Sequence, residues 1–357
     1  MFDLEKLLIQ QIENACSDLH ILTDEPPFLR AKNGQIWPVP DAEPVKREEI
    51  EKVTREIIGE EGFKKLAAEK EFDFSIERPN LSRFRVAFYE EMHGPAIAFR
   101  AIPFEIPRPD EIDIPAEILE YVLRDEGLIL VTGPNGSGKT TTLASLIDFI
   151  NAERKVRIIT IEDPIEFIFK RKKAVISQRA VGIDAESFAS AVKHTVRQDV
   201  NVIVIGEMRD LETIATAITL AETGHLVLAT LHTDDAPRAI QRIVDVFPAN
   251  QQQQIAVQLS HSLAAVMSQR LIPTKDGLGR VCVREIMFNN SGIAHAIRER
   301  KISEIYSQIQ INGKSGMRLF DENLLRFVRS GDISAEEALH AAHDPTQMAE
   351  SLGRVIN

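Results

Sequence analysis

The chain has 357 residues, long enough for two or three domains, and its 44% hydrophobic content can furnish real cores. With 54 acids against 42 bases, the net charge of −12 argues against a surface built mainly to coat nucleic acid. No apolar run approaches the roughly 20 residues that cross a bilayer, and the start MFDLEKLLIQQIENA lacks the basic flank and apolar core of a secretory signal. The only cysteines, Cys16 and Cys282, form no CxxC pair, so neither a disulfide framework nor a cysteine zinc site is indicated. The expected setting is the cytosol, with any membrane contact peripheral.

Residues 2–17 carry Phe2, Leu4, Leu7, Leu8, Ile12 and Ala15 at helical spacing, which predicts an amphipathic helix. Strand-like runs follow at 19–21, 28–32, 71–77, 83–90 and 96–102. Phe72, Phe74 and Ile76, and then Phe84, Val86 and Phe88, alternate with polar residues, as half-buried antiparallel strands do. Residues 46–69 read as one or two helices. The expectation is an α+β domain over residues 1–103. Pro103, Pro107, Pro109 and Pro115 then exclude a helix interior or a central strand, so 104–115 reads as an extended linker or hinge.

From residue 116 the pattern changes. GLILVT (127–132), VRIITIE (156–162), VIVIGE (202–207) and LVLATLH (226–232) are apolar strands separated by helix-like segments at 139–152, 186–196 and 210–222. That order predicts a parallel sheet covered on both faces. Beyond about residue 233 the chain reads as largely helical, with a hairpin near 279–288, a helix at 332–342 capped by Asp332 or Ser334, and fraying last residues. This second domain is expected to run to residue 357.

Gly133-Pro134-Asn135-Gly136-Ser137-Gly138-Lys139-Thr140 fits G-x-x-x-x-G-K-[ST], between a predicted strand and a predicted helix. The glycines let the backbone curl until successive amides face a phosphate, and the helix beginning at Lys139 aims its positive end at the same anion. Lys139 is expected to reach the β and γ phosphates of ATP, and the Thr140 hydroxyl to coordinate Mg²⁺, with Thr141 beside them in the nucleotide site. A magnesium site also needs acids at a strand end. Glu207 closes VIVIGE, and Glu162, Asp163 and Glu166 cluster around Pro164 in RIITIEDPIEF, where packed carboxylates would repel each other without a cation or solvent between them. The alternative for the cluster is a plain acidic turn. His225 and His232 bracket HLVLATLH, placed to sense the γ-phosphate, to hold a neighbouring carboxylate, or to sit as ordinary satisfied core or surface groups.

Taken together these pieces resemble the secretion-ATPase superfamily that powers type IV pili and type II secretion. The resemblance runs from about residue 3 to 340. It rests on CSDLH (16–20), NLSRFRVAF (80–88), the phosphate loop, TIEDPIEF (160–167), IGEMRDLETI (205–214) and AETGHLVLATLHT (221–233). It implies an amino-terminal α+β, PAS-like domain joined by a linker to a RecA-like P-loop ATPase domain with a helical carboxyl-terminal part. Matched position by position, Glu166 is the implied catalytic glutamate, Glu207 the strand-end acid acting with magnesium, and His225 and His232 the histidines of the last box. Arg83 and Arg85 match arginines that reach phosphates from the first domain; their plain reading is a solvated strand face. The family forms homohexameric rings at the cytoplasmic face of the inner membrane, peripheral to it and engaged with a pilus platform protein.

Three departures stand out: Asp199-Val200-Asn201 where Asp-Pro-Asp is common, Pro-Asn-Gly in place of Pro-Thr-Gly in the loop, and SGIAHAIRERK (291–301), which follows only loosely the short helical motif of retraction motors. The chain lacks the further amino-terminal domains and four-cysteine zinc module common in extension and type II secretion ATPases, which favours a motor that powers type IV pilus retraction and twitching motility. The alternatives are an extension or secretion-assembly ATPase, a RecA-like nucleic-acid motor and a non-hydrolysing scaffold. No nucleic-acid partner is expected. The one dense basic run is Lys170–Lys173, and three tyrosines with one tryptophan make a poor stacking platform.

Overall fold

The computed structural model describes residues 2–31, 34–102 and 105–356, with side chains to Gly353. Lys32, Pro103, Phe104 and Asn357, which the readings above placed in a strand, the first domain, the linker and the last residues, lie outside the described residues. The chain divides into two compact units, Met1–Glu105 with Pro164–Ile168, and Ile106–Asp163 with Phe169–Asn357.

In the first unit, six strands make one antiparallel sheet: β1 (Cys16–Ile21), β2 (Phe28–Ala31), β3 (Ile36–Pro38), β4 (Glu71–Arg78), β5 (Ser82–Glu91) and β6 (Gly94–Ile102). Their spatial order is β3-β2-β1-β6-β5-β4. Two-residue alternation on β5 buries Phe84, Val86 and Phe88 and leaves Arg83 and Arg85 half-buried on the opposite face. Helices α1 (Leu4–Glu13) and α2 (Arg47–Glu69) share a core with the apolar face, Leu8 and Ile50 meeting Phe84 and Phe99 in one cluster. The first helix stops earlier than its periodicity suggests. Ala15 adopts φ 53°, a left-handed conformation that ends the helix, and Cys16 already begins the strand. Gly59, at φ 69° and ψ 178°, divides 47–69 into two helical pieces.

The second unit holds β7 (Gly127–Thr132), β8 (Arg157–Glu162), β9 (Val175–Ala180), β10 (Val202–Ile205), β11 (Leu226–Leu231), β12 (Leu263–Pro273) and β13 (Arg280–Phe288). They lie in the order β13-β12-β7-β11-β10-β8-β9, every neighbouring pair parallel except β12 with β13. Around the sheet run α3 (Ala116–Val122), α4 (Lys139–Glu153), α5 (Phe188–Thr195), α6 (Leu211–Glu222), α7 (Ala236–Asp245) and α8 (Ala249–Ser262). Helices α9 (Ser291–Arg298) and α10 (Ile302–Ile311) join the same core. A smaller core forms where α11 (Phe320–Ser330), α12 (Ala335–Ala341) and α13 (Pro345–Ile356) pack on the ends of β12 and β13. Ser334 is the cap of α12, its hydroxyl accepting from Glu337 N at 3.1 Å.

Further departures from the sequence reading lie in the second unit. β12 replaces expected helix: LAAVMSQRLIP enters straight from α8 and pairs in parallel with β7, Val266 opposite Leu130. β9 is an edge strand with little full burial, so it leaves no apolar run. Within the proline-rich stretch, Pro109–Ile112 forms a 3-10 turn, which proline tolerates at its first position.

Candidate active site

Residues 133–138 connect β7 to α4. Gly133 has φ 144°, and a Cβ there would fall 2.2 Å from the Gln269 carbonyl oxygen, so only glycine lets the loop leave the strand this close to its neighbour. Gly138, at φ 87°, caps α4. The first amides of the helix have no acceptor within it and offer themselves to an anion. Lys139 is buried, 9% exposed, and its Nζ donates to the Gly133 and Pro134 carbonyls at 2.7 and 3.0 Å. Burial pulls its pKa below the ordinary value, and the negative charge of Glu207 opposes that pull. The next residue, Thr140, is exposed. Thr141 and Thr142 border a cavity of about 460 Å³ that extends to Asp113, Leu271 and Arg284.

Glu207 lies just past β10. Gly206 N donates to Ile161 O at 2.8 Å, the Thr230 hydroxyl donates to Gly206 O, and Met208 N donates to Thr230 O at 3.1 Å. These bonds hold the turn between the ends of β8 and β11. One carboxylate oxygen of Glu207 meets His232 Nε2 at 3.0 Å and the other Arg209 at 2.7 Å. Burial pushes the Glu207 pKa up, but Arg209 and His232 together outweigh it and hold the carboxyl below its ordinary value. Arg209 was not singled out in the sequence. Its position two residues beyond the acid was the available signal.

The acids around Pro164 meet different partners. Glu162 accepts from the Thr160 hydroxyl at 2.6 Å and from Gln178 at 3.2 Å, while Asp163 adds negative charge near Arg209. Glu166 falls in the segment that belongs with the first unit, where Arg85 approaches it at 3.8 Å. Beside it, the Ile165 carbonyl accepts from Ser75 Oγ at 2.8 Å and from Arg83 at 3.3 Å. Glu166, Arg83 and Arg85, drawn from two separate motifs, thus stand together. Among the described residues no group of three His, Cys, Asp or Glu side chains is arranged as a metal cage.

His225 does not join the phosphate loop within this chain. It precedes β11, its carbonyl accepting from Gly127 N at 3.1 Å and its Nδ1 lying 3.2 Å from Leu220 O. Gly127 is the first residue of β7 and the loop follows the last, so a six-residue strand separates them, about 20 Å at the usual strand rise. The spacing of His225 and His232 brackets the strand and therefore puts the two at opposite ends of it.

Gln269 on β12 is a further residue that the sequence reading missed. It underlies the whole loop, its Nε2 donating to Ser137 O at 2.7 Å and its Oε1 accepting from the Thr142 hydroxyl at 3.0 Å. Its partners lie more than 120 positions away in the chain, at separations of 132 and 127, and no local pattern marks them.

Comparison with known proteins adds three likenesses and a family match. The family model described as type II/IV secretion system protein matches residues 4–340. A twitching motility protein of Neisseria gonorrhoeae is 43% identical over 302 residues, covering 85% of this chain and 81% of that protein. The type IV pilus retraction ATPase PilT of Pseudomonas aeruginosa is 40% identical over 344 residues, covering 96% of this chain and 99% of that one. The crystal structure of the pilus retraction motor PilT with bound ADP superposes with a TM-score of 0.88 at 41% identity, covering 97% of this chain and 99% of that one.

Proposed function

The chain belongs to the type II/IV secretion system protein family, and from that premise we propose that it is an ATP-hydrolysing motor that drives type IV pilus retraction. The observation that carries this reading is the likeness, over 97% of the chain, to a retraction motor that holds ADP. The phosphate loop is the nucleotide site, the stretch from Asn135 to Thr141 contributing backbone amides and Lys139 its charge. The adjoining cavity at Thr141 and Leu271 takes the nucleoside.

Phosphoryl transfer asks for positioning and charge neutralisation more than for covalent chemistry. Lys139 supplies a partly desolvated cation to the β and γ phosphates, and its attraction there is stronger for being buried. Thr140, an exposed hydroxyl at the start of α4, and Glu207, a carboxylate held ionised by Arg209 and His232, are the hard oxygen donors that suit Mg²⁺. Bound there, the ion would neutralise charge on the phosphate oxygens. His232 orients Glu207 through their hydrogen bond. Glu166 takes the proton of the attacking water, and Arg83 and Arg85, which stand with it, supply positive charge to the developing transition state. The working assembly is a homohexamer at the cytoplasmic face of the inner membrane, acting on a pilus platform protein and not on nucleic acid. No helix of the described residues is long and apolar enough to cross a membrane.

Phosphate release from Mg-ATP under multiple turnover tests the enzyme. Lys139→Ala is expected to lower the rate by about two to three orders of magnitude; hydrolysis at the unaltered rate would remove the assignment.

A further inference from the structure

We propose that Gln269 is a positioning residue that sets the phosphate loop in its anion-binding form. The inference rests on the reading of the loop as the nucleotide site and assigns part of its shape to a strand outside the motif. Gln269 is 1% exposed and meets the loop at three places. Its backbone oxygen lies under Gly133, at the entry; its Nε2 donates to Ser137 O, near the exit; its Oε1 accepts from Thr142, in the first turn of α4. The strand that carries it is fixed on both sides, Ser268 accepting from Thr132 at 2.7 Å and Arg270 pairing with Asp234 at 3.1 Å.

The bond to Ser137 O has a directional consequence. A peptide unit is planar and trans, so its carbonyl and its amide point to opposite sides. With Ser137 O held toward β12, the Gly138 N–H faces away from that strand, as an amide that binds phosphate must. An amide side chain suits this position because it donates to one partner and accepts from the other at once. Leucine fills similar space with neither bond. Glutamate keeps the acceptor for Thr142 but cannot donate to Ser137 O, and it adds a negative charge beneath the phosphates.

The test is titration of the purified protein with a fluorescent ADP analogue and with ATP, alongside thermal melts. In Gln269→Leu, ADP affinity is expected to fall about tenfold, the worth of one well-placed donor to a charged group. In Gln269→Glu the loss is expected to be greater for ATP than for ADP, because the added charge repels the more anionic ligand more strongly. A role in stability alone would lower the melting temperature of Gln269→Leu and leave its ADP affinity within twofold of the parent. Should Gln269→Leu fail to fold, the isosteric Gln269→Glu carries the test. The inference is overturned if the folded variants bind ADP within twofold of the parent. If the parent itself binds no ADP, the nucleotide reading fails instead.

Discussion

Replacing Gly133 by alanine puts a methyl group 2.2 Å from the Gln269 carbonyl oxygen and 2.7 Å from Ser137 Oγ, where ordinary contact needs at least 3.4 Å. The first neighbour is backbone of a central strand, so the loop itself must move by more than an ångström. Overpacking of this kind costs about 1–3 kcal/mol, and holding a side chain at φ 144° adds roughly 1–3 kcal/mol. A total near 3–4 kcal/mol corresponds to a loss of about 100- to 1000-fold in nucleotide affinity if the loop deforms to relieve it. Gly136 supplies the control. It lies at φ 75° with nothing within 4 Å of an added Cβ, so Gly136→Ala meets only the left-handed penalty, about 1–2 kcal/mol or roughly tenfold. Titration with a fluorescent ADP analogue, on protein shown by melting to be folded, measures both. Equal losses for the two alanines, or unchanged affinity in Gly133→Ala, would refute the reasoning from loop geometry.

Three further outcomes are expected. Glu285, buried on β13, accepts from Ala236 N at 2.8 Å and from Phe320 N at 3.4 Å, and burial raises its pKa from 4.5 to about 7. Between those values the folded chain holds a proton that the unfolded chain has lost, so stability falls as pH rises through the window, by about 3 kcal/mol from this group. Urea unfolding at pH 5 and pH 8 should show a shallower pH dependence in Glu285→Gln; identical slopes would count against it. Glu207→Gln should lower turnover about 100-fold while ADP affinity changes less than about threefold, because the charge acts on the metal and water side of the reaction; an equal drop in both would place Glu207 in ground-state binding. Phe99→Ala removes a fully buried ring that stands edge-on to Phe84 at 6.4 Å, and denaturant unfolding should register a loss of about 3–5 kcal/mol.

The parts of the molecule legible in sequence are those written locally. Phosphate-loop glycines sit where the backbone turns left-handed, and the strands β7, β8, β10 and β11 are short apolar runs ended by turn residues. On β5, alternation alone put Arg83 and Arg85 on one face. What escaped depends on partners distant in the chain. LAAVMSQRLIP is as apolar as a buried helix and follows α8 with no glycine or proline between, so only its pairing with β7 makes it a strand. Gln269 in turn has no meaning until that strand is placed. The end of α1 was hidden because Cys16 continues the apolar pattern after Ala15 has left the helical conformation. Glu166 meets Arg85, 81 positions earlier in the chain, and no local pattern marks that pair. Separation along the sequence, more than composition, divides what was legible from what was not.

A retraction motor of the kind proposed spends nucleotide hydrolysis at Lys139 on drawing pili back into the cell. Imaging labelled pili on living cells tests it most directly, in a strain lacking the chain and complemented with either the parent or Lys139→Ala. Lys139→Ala cells are expected to extend pili that then fail to retract, leaving them piliated and unable to twitch. Cells without pili, or pili that retract at the parental rate, would contradict it.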